Sequence, residues 1–129
     1  MTHSTTSLPP LHDGLLRGIW VDEREARLFV QTEAGALFTL LLTGVKRINV
    51  DGFSEGNIIL DCDVWTDPEI PTDILVALNH GGARETELSH LRSLVAEGGY
   101  MVLSIAPSYG ATVAALIKGF SVREGLSFD

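Results

Sequence analysis

Two aspartates one residue apart, Asp61 and Asp63, are the side chains in this sequence best placed to do chemistry together. They lie in the segment Gly56–Trp65, GNIILDCDVW, whose alternation of residue types is typical of a β-strand. Alternate Cα atoms of a strand lie roughly 6.5–7 Å apart, so both carboxylates can reach one cation or one basic group. Ca²⁺ or Mg²⁺ would need several further oxygen ligands, and exposed acids on a sheet are common. A binding site and a merely solvated surface therefore both stay open.

The rest of this strand predicts which side faces the core. The alternation places Ile58, Leu60, Cys62 and Val64 on one apolar face. Their burial predicts that Leu60→Ala lowers the stability by roughly 2–5 kcal/mol. A thiol on this face, without a basic neighbour, is expected to be inert. The opposite face carries the predicted binding residues of the strand, which are Asn57, Asp61, Asp63 and Trp65.

Two further groups are candidates outside the strand. Histidine with carboxylate is a common metal-binding or acid–base pair, so His12 beside Asp13 is one candidate site. A separate metal hypothesis combines His12 with Asp61 and Asp63. Neighbours on an extended chain point to opposite faces, so the alternative is that His12 binds a strand end beside a turn. Tyr109, in Ser-Tyr-Gly, is a candidate binding residue or a packed turn residue, and this triplet does not have the GxSxG pattern of a nucleophile elbow. We predict no catalytic residues.

Composition excludes several classes of partner. The chain has 9 basic and 17 acidic residues and a formal net charge of -8, which disfavours a large phosphate-binding surface and hence a nucleic acid partner. Neither a Walker motif nor GxGxxG occurs, and we expect no cofactor. A single cysteine indicates a reducing compartment. With no secretory signal and no apolar run of roughly 20 residues, we expect a cytoplasmic protein without a membrane partner.

The order of predicted elements indicates a β-rich α+β fold. A chain of 129 residues fits one domain, predicted over residues 11–129 after a flexible tail over residues 1–10. Helices are predicted over Asp73–Asn79, where a buried strand is the alternative, and over Arg84–Glu97. One or two C-terminal strands follow, the first over Tyr100–Ala106 and ended by Pro107, whereas residues 111–123 fit either helix or strand. An antiparallel meander of about five strands precedes the helices, predicted over Leu15–Val21, Arg27–Thr32, Ala36–Thr43, Val45–Asp51 and Gly56–Trp65.

Several short motifs together carry a family resemblance. They are His12-Asp13, Gly44-Val45, the segment FSEGNIILD over Phe53–Asp61, and Ser108-Tyr109-Gly110. In this order the chain resembles a loose group of small, uncharacterised bacterial proteins with an N-terminal His-Asp element and a late Ser-Tyr-Gly turn. Some of these are regarded as candidate immunity proteins, which bind and neutralise a companion toxin. The resemblance implies that residues 111–123 form a strand, and it implies no catalytic residues.

Three functional hypotheses follow. The first is a non-catalytic binding protein that recognises a protein partner, and the family resemblance suggests the immunity type. The second is a small metal-dependent hydrolase or small-ligand-binding protein that uses His12, Asp61 and Asp63. The third is a homodimer formed through an open sheet edge.

Overall fold

The computed structural model describes residues 4–5 and 7–128, and over these the chain is an α+β domain. The described part holds one antiparallel sheet, with eight strands of five to nine residues and a two-residue strand, and two helices. The elements are β1 (Ser4–Thr5), β2 (Leu15–Asp22), β3 (Glu25–Gln31), β4 (Leu37–Thr43), β5 (Arg47–Asp51), β6 (Ile58–Trp65), α1 (Thr72–Leu78), α2 (Glu85–Ala96), β7 (Met101–Tyr109), β8 (Thr112–Ile117) and β9 (Gly119–Glu124).

The sheet curls round on itself because two long strands bend at the same corner. Gly44, with φ 59°, separates β4 from β5, and Lys118 separates β8 from β9. β4 pairs with β9 and β5 pairs with β8, so the two bent strands run side by side through this corner. The curl is completed where β2 meets β6 at Leu15 and Ile58.

The predicted five-strand meander is therefore wrong beyond its first three strands, although the antiparallel α+β class is confirmed. β2, β3 and β4 are successive neighbours, whereas β5 pairs with β8, and β6 pairs with β2 and β7. The sheet also has more strands than predicted, because residues 111–123 form β8 and most of β9 and not a helix. The helix predicted over Asp73–Asn79 is confirmed as α1, which ends at Leu78, and this segment is not a buried strand.

Two apolar clusters hold these elements together. The first fills the inside of the curl, with Leu28, Leu40 and Ile117 among its fully buried side chains. The second lies between the two helices and the outer face of β7 and β8, and it includes Leu75 of α1 and Leu91 of α2. Neither helix in the described part of the chain is long and apolar enough to cross a membrane.

A β-bulge in β6 reverses the predicted inward face at its start. The pairing of β6 with β7 shifts register between Ile58 and Asp61, opposite Pro107, so β7 continues past this proline to Tyr109. Ile59 points into the core with 1% of its surface exposed, whereas Leu60 is 41% exposed. The predicted burial of Ile58 and Leu60, and with it the large effect of Leu60→Ala, is wrong. Beyond the bulge Cys62 and Val64 pack against the core, as predicted.

The ends of the sheet bear on two other predictions. Residues 1–3 and 6 of the predicted flexible tail lie outside the described residues, while Ser4–Thr5 pair with β9 as β1. The outermost strands of the described sheet are β1 and β5. Along β5, Asn49 donates a hydrogen bond from Nδ2 to the Ala77 carbonyl at 2.7 Å, which ties this strand to α1. A homodimer through a sheet edge stays a prediction.

Candidate functional site

A groove of ≈ 450 Å³ lies between α1 and the outer face of β6, β7 and β8. Three carboxylates line it: Asp61 and Asp63 come from β6, and Asp73 comes from the first turn of α1. The groove thus places the two aspartates of the strand together with a third that is ten residues further along the chain. The other lining residues are Trp65, Pro71, Ile74, Ala77, Ser104, Ile105, Ala106, Pro107, Thr112, Val113 and Ala114.

The floor of the groove is fixed by the pairing of β6 with β7. Asp63 lies opposite Ser104, and Asp61 lies opposite Ala106. Trp65 donates a hydrogen bond from Nε1 to the buried Ser104 hydroxyl at 2.9 Å, which fixes the indole along this floor. The aspartates and the indole therefore share one outward face, as the alternation of residues in this strand predicts.

The helical wall is fixed by an arginine on the second helix. Arg92 Nη1 donates hydrogen bonds to the carbonyls of Pro68 and Ile70, at 2.8 and 2.9 Å. These bonds hold the connection between β6 and α1, and the buried Ile70 anchors it to the second apolar cluster. Asp73 is consequently held across the groove from the strand aspartates.

The electrostatics of the groove favour a cation. Its described lining has three aspartates and no lysine, arginine or histidine. Three like charges around one groove add their attractions for an opposite charge. The half-buried Trp65 ring adds a surface on which a guanidinium or ammonium group can stack. Among the described residues no group of three or more His, Cys, Asp or Glu side chains could hold a metal ion.

His12 lies outside this groove, on the far side of the β6 bulge. Its Nδ1–H donates to the Leu60 carbonyl at 2.7 Å, and its Nε2 lies 3.5 Å from Asp13 Oδ2. Asp13 has φ 62°, so the chain turns immediately after the histidine. The geometry matches the alternative in which His12 binds a strand end beside a turn, here at the bulge that exposes Leu60.

We expect His12 to titrate above its ordinary value. The hydrogen bond to Leu60 and then the Asp13 carboxylate raise the pKa of His12 above 6.5. Because the folded-state pKa is raised, the stabilisation is fully present below the ordinary pKa and is lost as the pH rises through the raised one. An NMR titration of the ring protons, assigned with His12→Gln, measures this pKa. In Asp13→Asn it should fall only part of the way to 6.5, and a wild-type pKa at or below 6.5 would contradict the geometry.

Asn57 and Tyr109 also lie away from the groove, at the turn between β7 and β8. Asn57 is 4% exposed, and its Oδ1 accepts hydrogen bonds from the Ser54 and Ala111 amides at 2.9 and 3.1 Å. Tyr109 is exposed and donates to Glu55 Oε1 at 3.3 Å. The bulge separates Asn57 from the aspartates that share its predicted strand face, and the Asn57 amide is engaged in holding the turn.

Cys62 behaves as the sequence indicates for a thiol that packs against the core. Burial, reinforced by the neighbouring Asp63, raises the pKa of this thiol to about 12. A thiol with such a pKa is protonated at neutral pH and is a poor nucleophile.

Among the groove residues that the sequence interpretation missed are Asp73, Ile74 and Ser104. In the predicted strand Tyr100–Ala106 the alternation puts Ser104 on one face with Tyr100 and Val102, and Asp73 begins the predicted helix Asp73–Asn79. Each signal was present, but nothing in the pattern showed that α1 would lie beside β6 and β7. Comparisons of the chain with protein-family models, with curated proteins and with solved structures gave no match.

Proposed function

We propose that this protein is a non-catalytic binding protein whose acidic groove takes up a basic segment of a protein partner. The observation that carries the proposal is the convergence of Asp61, Asp63 and Asp73 on one groove with an indole on its floor. Immunity proteins act by binding a companion toxin, so the family resemblance agrees with a binding role. The function rests on recognition, and the groove is the recognition surface.

Charge complementarity supports a basic partner. The formal net charge of -8 attracts a basic protein at long range, and the groove supplies the short-range contacts that fix its position. A lysine or arginine side chain is long enough to lay its methylene groups along Ile74 and Ala77 while its charge meets the carboxylates. Arginine would also stack on Trp65, which combines charge and aromatic contact in one residue.

The test compares two triple variants of equal charge. Asp61→Asn, Asp63→Asn and Asp73→Asn neutralise the groove, while Asp22→Asn, Glu23→Gln and Glu33→Gln neutralise three exposed acids at the turns that flank β3. Each set takes the formal charge from -8 to -5. Wild type and the turn variant should retain one basic protein from extracts of the expressing cell, and the groove variant should lose it by at least about tenfold in affinity.

If only long-range attraction mattered, the groove variant and the turn variant would lose the same amount of affinity for the basic protein. Equal retention by all three proteins, or equal weakening of both variants, would therefore contradict the assignment of binding to the groove. A thermal melt of each variant separates lost binding from lost folding, since all six side chains are exposed and their amides should change stability by less than about 0.5 kcal/mol each.

Small-ligand binding is the second candidate function, and the size of the groove is the observation that favours it. Its volume of ≈ 450 Å³ falls within the ordinary range for small-molecule sites. The lining would select an organic cation such as a guanidine or an amine. A ligand that binds only the folded state raises the melting temperature, so a thermal-shift screen of guanidines and amines checks this candidate. A shift that survives in the groove variant would exclude the groove as the site.

A further inference from the structure

The C-terminal residues Gly125–Phe128, here called the strap, cross the outer face of the sheet on the side away from both helices. The Thr39 hydroxyl donates to the Gly125 carbonyl at 2.8 Å and accepts from the Ser127 amide at 2.9 Å. The Phe128 ring then packs against Trp20 at 5.5 Å and Phe29 at 5.1 Å between ring centroids. The strap therefore runs over β4, β3 and β2 and ends with an aromatic ring between two others.

Arg27 lies beside this ring on the same sheet face. It pairs with Trp20 across β2 and β3, and it stands two residues before Phe29 on β3, roughly 6.5–7 Å away along the strand. It is the one buried charged residue among those described, with 9% of its side chain exposed. Its Nη1 is 3.9 Å from Glu25 Oε1, which is too long for a hydrogen bond. Within residues 4–5 and 7–128, the buried Nε has no hydrogen-bond partner.

A buried Nε–H without an acceptor is costly, and a carboxylate is the group that matches the planar fork of a guanidinium. We propose that the strap is a removable cover and that the face beneath it binds an aromatic carboxylate. The ligand's ring replaces Phe128 between Trp20 and Phe29, and its carboxylate meets Arg27. The partner class is thus a small molecule that carries a ring and a carboxylate close together.

The aromatic end of the strap is exposed enough to be displaced. Phe128 remains 61% exposed although it touches two rings, and Leu126 is exposed as well. Hydrogen bonds join the strap to β4, where the Gly125 amide donates to the Leu37 carbonyl at 2.8 Å and the Thr39 hydroxyl bonds to Gly125 and Ser127, whereas the Phe128 ring lies over β3 and β2. A ligand with an aromatic ring and a carboxylate replaces the ring contact of Phe128 and also gives Arg27 the hydrogen-bond acceptor that Phe128 cannot supply.

The test removes the Phe128 ring and compares the binding of two matched probes. Phe128→Ala, labelled with 5-fluorotryptophan, is titrated with N-acetylphenylalanine and with N-acetylphenylalaninamide, which keeps the ring but has no carboxylate. The chain has two tryptophans, so fluorine NMR gives two signals, assigned with Trp20→Phe. The Trp20 signal should shift saturably while the Trp65 signal stays fixed, and the acid should bind about tenfold more tightly than the amide.

Controls separate the Arg27 contact from other causes. A net charge of -8 repels an anion in general, so a preference for the acid reports a local positive group. In Phe128→Ala with Arg27→Met the preference should disappear, and in the wild type both probes should bind more weakly because the strap is in place. Equal affinity for acid and amide, or an unmoved Trp20 signal, overturns the proposal. Since the acid and the amide are compared on the same Phe128→Ala protein, the result does not depend on whether Arg27→Met folds.

Discussion

Replacing Ile59 with alanine is expected to lower the free energy of unfolding by about 2–5 kcal/mol. The side chain is 1% exposed and belongs to the cluster inside the curl of the sheet. Truncation removes its apolar transfer free energy and leaves a cavity that the surrounding strands can close only in part. Urea denaturation followed by circular dichroism measures the loss, provided that the slope of the transition stays unchanged.

Leu60→Ala is the matched control because it deletes the same number of carbon atoms one residue further along. Leu60 is 41% exposed, so this change should cost less than about 1 kcal/mol. The pair tests the position of the bulge in β6 directly. If Leu60→Ala costs as much as Ile59→Ala, the strand has the plain alternation that the sequence predicts, and the outward position of the aspartates would need a different explanation.

Asn57→Ala is expected to lower the free energy of unfolding by about 2–4 kcal/mol, since it leaves backbone amides without an acceptor. Oδ1 of Asn57 accepts from Ser54 and from the buried Ala111, and Nδ2 donates to the Ser54 carbonyl at 3.0 Å. Gly110 lies directly against this side chain with φ 90°, a conformation that favours glycine. The amide therefore joins the loop before β6 to the turn between β7 and β8.

The control for this variant is Asn49→Ala. In the wild type the half-buried side-chain amide of Asn49 donates one hydrogen bond to the Ala77 carbonyl. Asn49→Ala should lower the free energy of unfolding by about 1 kcal/mol. The two variants are compared by the same denaturation experiment. A cost for Asn57→Ala no larger than for Asn49→Ala would show that Asn57 does not hold the turn.

Local patterns predicted elements more accurately than they predicted neighbours. The hairpin of β3 and β4 has its signals within a few residues, including Gly35 with φ 100° in its turn, and α2 shows its apolar side in Leu88, Leu91 and Val95. The pairing of β5 with β8 joins segments more than 60 residues apart. Such pairings depend on how the whole sheet closes, and no local pattern records this.

For the candidate site as well, local alternation predicted part of the arrangement, and the rest depends on how distant segments pack. Asp61, Asp63 and Trp65 share a face because strand alternation holds beyond the bulge, whereas Asn57 lies before the bulge and is buried elsewhere. A bulge adds one residue and reverses the faces, and the run of apolar residues from Ile58 to Leu60 fits either register. Asp73 joins the site only because Arg92 and Ile70 fix where α1 begins.

Photo-crosslinking inside the expressing cell tests the binding role of the groove most directly. The crosslinker p-benzoylphenylalanine is placed at position 106, where the exposed Ala106 lines the groove, and for comparison at position 37, where Leu37 is exposed on β4. We predict one protein adduct from position 106, joined next to lysine or arginine residues of the partner. This adduct should be absent from position 37 and should disappear when Asp61, Asp63 and Asp73 are changed to asparagine. An adduct that persists after this neutralisation, or one that forms only from position 37, would contradict the account.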